Sequence, residues 1–402
     1  MANPHRTPRT APTAPPPSGL TQVLTEGRVV ICCGTGGVGK TTTAAALALE
    51  AARLGRRAAV VTIDPARRLA DALGVGELGN EPQRVPTEVL GDDVPGELWA
   101  LMLDTRTTFD ALVGRYAGDP RQAERILDNP FYRNISGRLS GTQEYMAAEK
   151  LYELTEDDRF DLVVVDTPPA RNALDFLDAP ERLTRFLDHR FYRALMAPTR
   201  LYLRAVNVAA QGFLRAVSRV VGGEVIADAV AFFQAFDGME AGFRARAAAV
   251  DRLLRSPTTT YVLVAAPRTD AVAEASWFAE RLADLGLAVG ALVVNRAHPV
   301  FGPDVAVPDE PAGALAPWWR NLTELRAVAG AEREQVAALA RQVAPAPTVT
   351  VPLQARDVHD LAGLRALTGA LLGTPLTVAA GRGAAPDPAR DGDGSLRARR
   401  RR

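Results

Sequence analysis

Apolar residues fall in short unbroken runs along this chain, not in strict alternation with polar ones. Seven apolar runs, all but the one at 98–104 rich in β-branched residues, lie at 28–33 (RVVICC), 57–63, 98–104, 160–166, 259–266, 289–295 and 346–352. A strand that is apolar nearly throughout is covered on both faces. The runs therefore predict a mostly parallel central sheet flanked by helices, an α/β fold. Residues 105–156 and 181–256 break the rhythm, since both look helical and hold no convincing strand. The second falls between two candidate strands and is expected as a helical insertion into the α/β core. Residues 297–316 are expected as a loop.

Composition bounds this picture. With 47% hydrophobic residues the chain can bury a sizeable core. The stretches 1–24 and 377–402, rich in Pro, Gly or Arg, are expected as disordered tails around a single domain at 25–376. The 47 basic and 47 acidic residues cancel, which argues against general attraction to nucleic acid or membrane surfaces. No specific nucleic-acid partner is expected. The one basic concentration, SLRARRRR at 395–402, is either a solvated tail or a contact for acidic lipid or nucleic acid. The proline-rich start lacks the apolar segment of a secretory signal, and no apolar span of membrane-crossing length occurs. Cys32 and Cys33 are adjacent and make neither a disulfide framework nor a closed zinc site, which fits a reducing cytoplasm. Of the 47 basic residues only Lys40 and Lys150 are lysine.

Lys40 sits in the sharpest motif of the chain. Gly34, Thr35, Gly36, Gly37, Val38, Gly39, Lys40 and Thr41 spell GTGGVGKT, followed by Thr42. This matches G-x-x-x-x-G-K-[ST], with a strand before it and a helical run after it, as a phosphate loop requires. Glycines let backbone N–H groups turn inward onto phosphate oxygens, and the helix N-terminus adds partial positive charge. Lys40 is expected to bridge the β- and γ-phosphates of ATP, and the Thr41 hydroxyl to ligate Mg²⁺. Asp166 ends an apolar strand in the Walker B manner, placing a carboxylate near Mg²⁺, through water. Asp64 follows the second strand directly. It either orients and deprotonates an attacking water or caps the next helix.

Together these motifs resemble the arsenical pump-driving ATPase family, which also includes the ATPases that deliver tail-anchored proteins. The wider group is the deviant-Walker-A class of dimeric P-loop NTPases. The resemblance spans most of residues 28–375. DPARRLADALG resembles the family's switch I, which implies Asp64 as the catalytic carboxylate beside Lys40. DTPPARNALDFL is similar to switch II, with Arg171-Asn172 in place of the usual Gly-His pair. VVNR resembles the adenine-contacting segment, putting Asn295 at the base; VPLQARDVHDL resembles the loop closing over it, around Pro352, Leu353 and Gln354. Thr35 stands where the family carries its signature lysine, which reaches across the dimer to the partner's phosphates. The resemblance thus implies a dimer, either with itself or with a lysine-bearing paralogue that completes the site. The arsenite-binding cysteines and the zinc-binding Cys-x-x-Cys pair of family members are both missing.

Two functions follow from this reading. One is an Mg²⁺-dependent ATPase that couples ATP binding and hydrolysis to a helical subdomain. The other is an ATP-binding regulatory or structural subunit with little turnover of its own. Within 181–256, Arg200, Arg204, Gln211, Arg215 and Arg219 share one wedge of an otherwise apolar helix, and Phe232, Phe236, Met239 and Phe243 align on one face of a second. This region is either the core of a helical subdomain or an apolar groove for a lipid or hydrophobic client.

Overall fold

The computed structural model describes residues 19–64, 68–91, 94–135, 142–168, 170–189, 223–299, 301, 306–308 and 313–372. Its strands are β1 (Val29–Gly34), β2 (Arg57–Thr62), β3 (Gln83–Arg84), β4 (Glu97–Met102), β5 (Leu162–Asp166), β6 (Thr259–Ala265), β7 (Val289–Ala297) and β8 (Thr348–Pro352). They form one sheet in the order β3-β4-β2-β5-β1-β6-β7-β8. Every pairing is parallel except β3 with β4. All seven predicted strands are present. The eighth, β3, is a two-residue exposed edge with no apolar pattern to announce it.

Helices cover both faces. They are α1 (Gly19–Glu26), α2 (Lys40–Arg53), α3 (Arg68–Leu73), α4 (Thr87–Leu90), α5 (Thr105–Tyr116), α6 (Pro120–Leu127), α7 (Pro130–Ile135), α8 (Thr142–Glu156) and α9 (Ala170–Asp188). From residue 223 onward come α10 (Gly223–Ala235), α11 (Glu240–Leu254), α12 (Thr269–Asp284), α13 (Ala316–Gln342) and α14 (Leu361–Leu372). On one face Val30, Cys32, Val60, Val164 and Val264 pack with α1, α2, α3 and α14. On the other, Ile31, Cys33, Val61, Val165 and Leu263 pack with α8, α9, α11, α12 and α13. Strand side chains alternate between faces, so the adjacent cysteines are buried on opposite sides of the sheet. The alanine run of α2, buried from Thr43 through Leu49, lets that helix lie close against the strands.

A third core lies away from the sheet. Leu112, Ile126, Tyr132, Met146, Phe232, Met239 and Phe243 bring α5, α6, α7, α8, α10 and α11 together. Tyr132 stacks on Phe232 with centroids 5.9 Å apart and planes 5° from parallel. Side chains of Asp104 and Asp119 cap α5 and α6 by accepting from the amides of Thr107 and Gln122. Glu149 of α8 and Arg246 of α11 form a buried pair, with an N–O distance of 2.6 Å.

The structure revises three expectations. The N-terminal tail was placed at 1–24, yet Gly19–Glu26 forms α1, which buries Leu20 and Leu24 against α2 and α14. The stretch 230–243 is not one helix: it breaks between α10 and α11, where Gly238 takes φ 82°. Phe232, Met239 and Phe243 still face one way, but into the third core, so they line no open groove. The expected loop at 297–316 carries a 3-10 turn, Gly313–Leu315, and its last residue opens α13. The arginine-striped helix expected near 199–223 lies outside the described residues, save its last position.

Candidate nucleotide-binding site

The central strand β1 sits between β5 and β6, and its C-terminal end delivers Gly34 into the loop that precedes α2. Ligands of open parallel sheets gather at this edge. Gly34 lies against the neighbouring strand so closely that a Cβ would stand 2.0 Å from the Val264 carbonyl oxygen. Gly39 takes φ 93°, and a Cβ there would stand 2.3 Å from Asn295 Nδ2. Only glycine satisfies both the backbone and the close approach.

Lys40 is buried, and its Nζ donates to the Thr35 carbonyl at 2.7 Å. Burial lowers its proton affinity, opposed by the nearby carboxylates, Asp166 first, then Asp64 and Glu274. Thr41 Oγ1 donates to Asp166 Oδ2 at 2.7 Å, and Thr62 Oγ1 donates to the same oxygen at 2.9 Å. The sheet register makes this possible, since Thr62 on β2 pairs with Asp166 on β5. The second carboxylate oxygen, Asp166 Oδ1, is buried and has no hydrogen-bond partner. Burial pushes the carboxyl up to about 6, with the two hydroxyls and Lys40 working the other way. A hydroxyl and an under-satisfied carboxylate are hard oxygen donors, which is the chemistry Mg²⁺ takes alongside substrate phosphates. Among the described residues no three His, Cys, Asp or Glu side chains converge on a metal position. Mg²⁺ held in part by nucleotide phosphates needs no such cluster.

Lys40 and Thr41 open onto a cavity of about 440 Å³. Gly36, Gly37, Gly39, Lys40, Thr41, Thr42, Asp64, Asn295, Pro352, Leu353 and Gln354 all line it. Four expected residues do not, Asp166 among them, which is buried and meets the cavity wall only through its bond from Thr41 Oγ1. Gly34 is the end of β1, and Val38 is buried behind the loop, where its carbonyl accepts from Asn295 Nδ2 at 2.8 Å. Thr35 turns its side chain inward, where it is 3% exposed and its hydroxyl has no partner. Thr35 thus meets Lys40 through its carbonyl alone. Asp64 donates its amide to Thr62 Oγ1 at 3.2 Å and lines the wall, one residue past the predicted strand. Arg68, Asp71, Thr167, Arg296, Arg356, His359 and Leu367 also line the cavity and were not predicted. The first six lie within or beside the motif stretches and could have been found there. Leu367 comes from α14 and carries no sequence signal.

A phosphate loop on the central strand, a buried lysine within it and carboxylates at the ends of the next two strands, Asp166 on β5 and Asp64 just past β2, define a P-loop NTPase. The profile of the anion-transporting ATPase family matches residues 27–373. The chain belongs to that family of ATPases. It is 30% identical over 313 residues to the uncharacterised protein SCO2128 of Streptomyces coelicolor, covering 75% of this chain and 71% of that one. It is 24% identical to the ATPase ASNA1 homolog of Entamoeba dispar, over 71% of this chain and 81% of the relative. Against the ATPase GET3 of Malassezia globosa identity is 28% over 39% of this chain, and the match spans only 44% of that relative's length. Among the described residues no helix is long and apolar enough to cross a membrane.

Proposed function

We propose that this protein is a cytoplasmic, magnesium-dependent ATPase whose nucleotide cycle moves its helical layer, and that it works as a dimer with a lysine-bearing paralogue. The observation that carries the catalytic part is the Thr41–Asp166–Thr62 arrangement with its orphaned carboxylate oxygen, beside a buried lysine. Thr41 and Asp166 would hold Mg²⁺, Asp166 through water; the ion neutralises charge on the phosphates when bound. Lys40 exchanges the Thr35 carbonyl for the β- and γ-phosphates. Asp64 orients the attacking water and accepts its proton. Asn295 reads the base, and Pro352, Leu353 and Gln354 close over it.

The route outward runs through α9. That helix starts four residues after Asp166 and runs 19 residues, packing on α8 and α11 and ending with Leu187 in the third core. A shift at its first turn would pass along the helix, by way of Pro180, into the helical layer. That layer, with the rest of 181–256, is the part proposed to handle a hydrophobic client or lipid.

Thr35 supports a second reading, a regulatory subunit with little turnover. It is neutral, short and turned inward, so it offers no charge to a partner's phosphates. The two readings separate in one experiment. ATP hydrolysis is measured for the isolated chain, for its Thr35→Lys variant, and for the chain mixed with lysine-bearing homologues from the same cell. The asymmetric dimer predicts slow turnover alone and gains of orders of magnitude with Thr35→Lys or with the right partner, the scale expected of a cation supplied in trans. Full turnover by the isolated chain, unchanged by Thr35→Lys, refutes the pairing. Nucleotide binding with no turnover under any condition favours the regulatory subunit.

A further inference from the structure

Adjacent side chains on a strand point to opposite faces. At the end of β7 that rule is broken. Arg296 has φ 62°, the one non-glycine residue with positive φ among the described residues. At the same place the pairing of β7 with β8 slips between Val294 and Ala297. The left-handed turn and the slip bring two consecutive side chains onto the phosphate loop. Asn295 Nδ2 donates to the Val38 carbonyl at 2.8 Å, and Arg296 Nη1 donates to the Gly37 carbonyl at 2.9 Å. The pair is locked from within, since the Arg296 amide donates to Asn295 Oδ1 at 3.0 Å. Room for Asn295 exists because residue 39 is glycine.

An arginine in left-handed backbone is unfavourable and persists only where its surroundings over-determine it. Here they do so for an identifiable purpose. A phosphate loop works by turning successive N–H groups inward, which sends carbonyls outward. Two successive outward carbonyls at the apex of this loop are gripped by Asn295 and Arg296. We propose that Arg296 is a positioning residue of the ATPase. With Asn295 it clamps the apex of the loop from the strand that also walls the base pocket. The N–H cradle is therefore shaped before any nucleotide arrives. Arg296 acts through the loop and not on the reacting phosphate. The inference rests on the cavity being the nucleotide site, but its first test is read without nucleotide, so the two can fail separately.

Arg296→Gly is the informative variant, because glycine adopts positive φ without strain and only the side chain is lost. Hydrogen exchange is measured on nucleotide-free, full-length protein, in peptides spanning residues 34–41. The clamp predicts exchange about tenfold faster in the variant, the factor that one lost charge-assisted hydrogen bond represents, with the melting temperature kept. It further predicts that affinities for ADP and for ATP fall by the same factor, that KM rises while kcat changes little, and that Arg296→Lys recovers part of the protection. Unchanged loop exchange in Arg296→Gly overturns the proposal. So does an affinity loss that is larger for ATP than for ADP and steeper in salt, which would make Arg296 a direct phosphate ligand.

Discussion

Asp166→Asn should make the nucleotide-free protein more stable while abolishing its response to magnesium nucleotide. The wild-type carboxylate is buried with one oxygen unpartnered, and burial moves it from 3.8 to about 6. A shift of about two units corresponds to roughly 3 kcal/mol of penalty on the ionised form. Asparagine removes the charge and keeps an acceptor for Thr41 and Thr62. Its amide nitrogen then takes the place of the orphaned oxygen, at a cost of about 1 kcal/mol for an unsatisfied donor. The net gain is about 2 kcal/mol, or roughly 3 °C for a domain of this size. The pH dependence has a definite sign. A carboxyl whose folded pKa is raised binds its proton more tightly in the folded state, so wild-type stability falls as pH rises from about 4 to about 6 and the penalty is complete above that. The advantage of Asp166→Asn is therefore full at pH 8 and shrinks to about 0.5 kcal/mol at pH 5. Urea denaturation with EDTA at both pH values measures it, followed by melting with Mg²⁺ and ADP. A variant less stable than wild type at pH 8, or one still stabilised by Mg²⁺ in the presence of ADP, refutes the reasoning.

Gly39→Ala places a Cβ 2.3 Å from Asn295 Nδ2 in a residue held at φ 93°, so it should weaken ADP binding by at least about tenfold with a small change in melting temperature, as titration calorimetry would show. Glu149→Ala strands the Arg246 guanidinium in the interior, 9% exposed and stacked 4.0 Å over Tyr152; a loss of about 3–5 kcal/mol is expected in urea denaturation. Replacing both members of that pair by apolar residues of similar size should restore most of the loss.

What the sequence disclosed, and what it hid, divides along a physical line. Double-sided burial writes itself into a strand as an unbroken apolar run, which is why β1 and β5, buried at every position, are plain to see. The edge strand β3 is Gln83-Arg84, exposed on both sides, and leaves no such mark. Helix α1 was overlooked because two leucines four residues apart, next to a proline-rich start, are too few to outweigh composition; only docking on α2 and α14 makes them a helix. The phosphate loop, Asp64 and Asp166 are local motifs at strand ends and were legible as such. Thr62 was not, because its role comes from standing opposite Asp166 in the sheet register. The departure of Arg296 from regular strand geometry is likewise invisible in VVNR, where the alternation rule would send its side chain away from the loop.

The same geometry explains how position 35 can hold a threonine without harm to this chain's own loop. Lys40 uses the carbonyl of residue 35, and every amino acid supplies one. The apex is held by Asn295 and Arg296 through the carbonyls of Val38 and Gly37, three and two residues further along. Nothing the loop needs for its own nucleotide comes from the side chain of Thr35. That side chain is buried with an unpartnered hydroxyl, a setting that a lysine ammonium could not share without a large desolvation penalty. A lysine installed there would have to turn outward, away from its own loop and toward whatever faces it. Thr35→Lys therefore alters what the chain presents to a partner and spares its internal chemistry. Nucleotide affinity of the isolated Thr35→Lys chain should stay within about twofold of wild type, because no hydrogen bond within the loop is lost. Any gain in turnover should instead rise with protein concentration, as subunits meet. A Thr35→Lys chain whose turnover per molecule is higher but independent of concentration, down to dilutions where it is monomeric, would place the new charge in its own site and end the argument for a supplied cation.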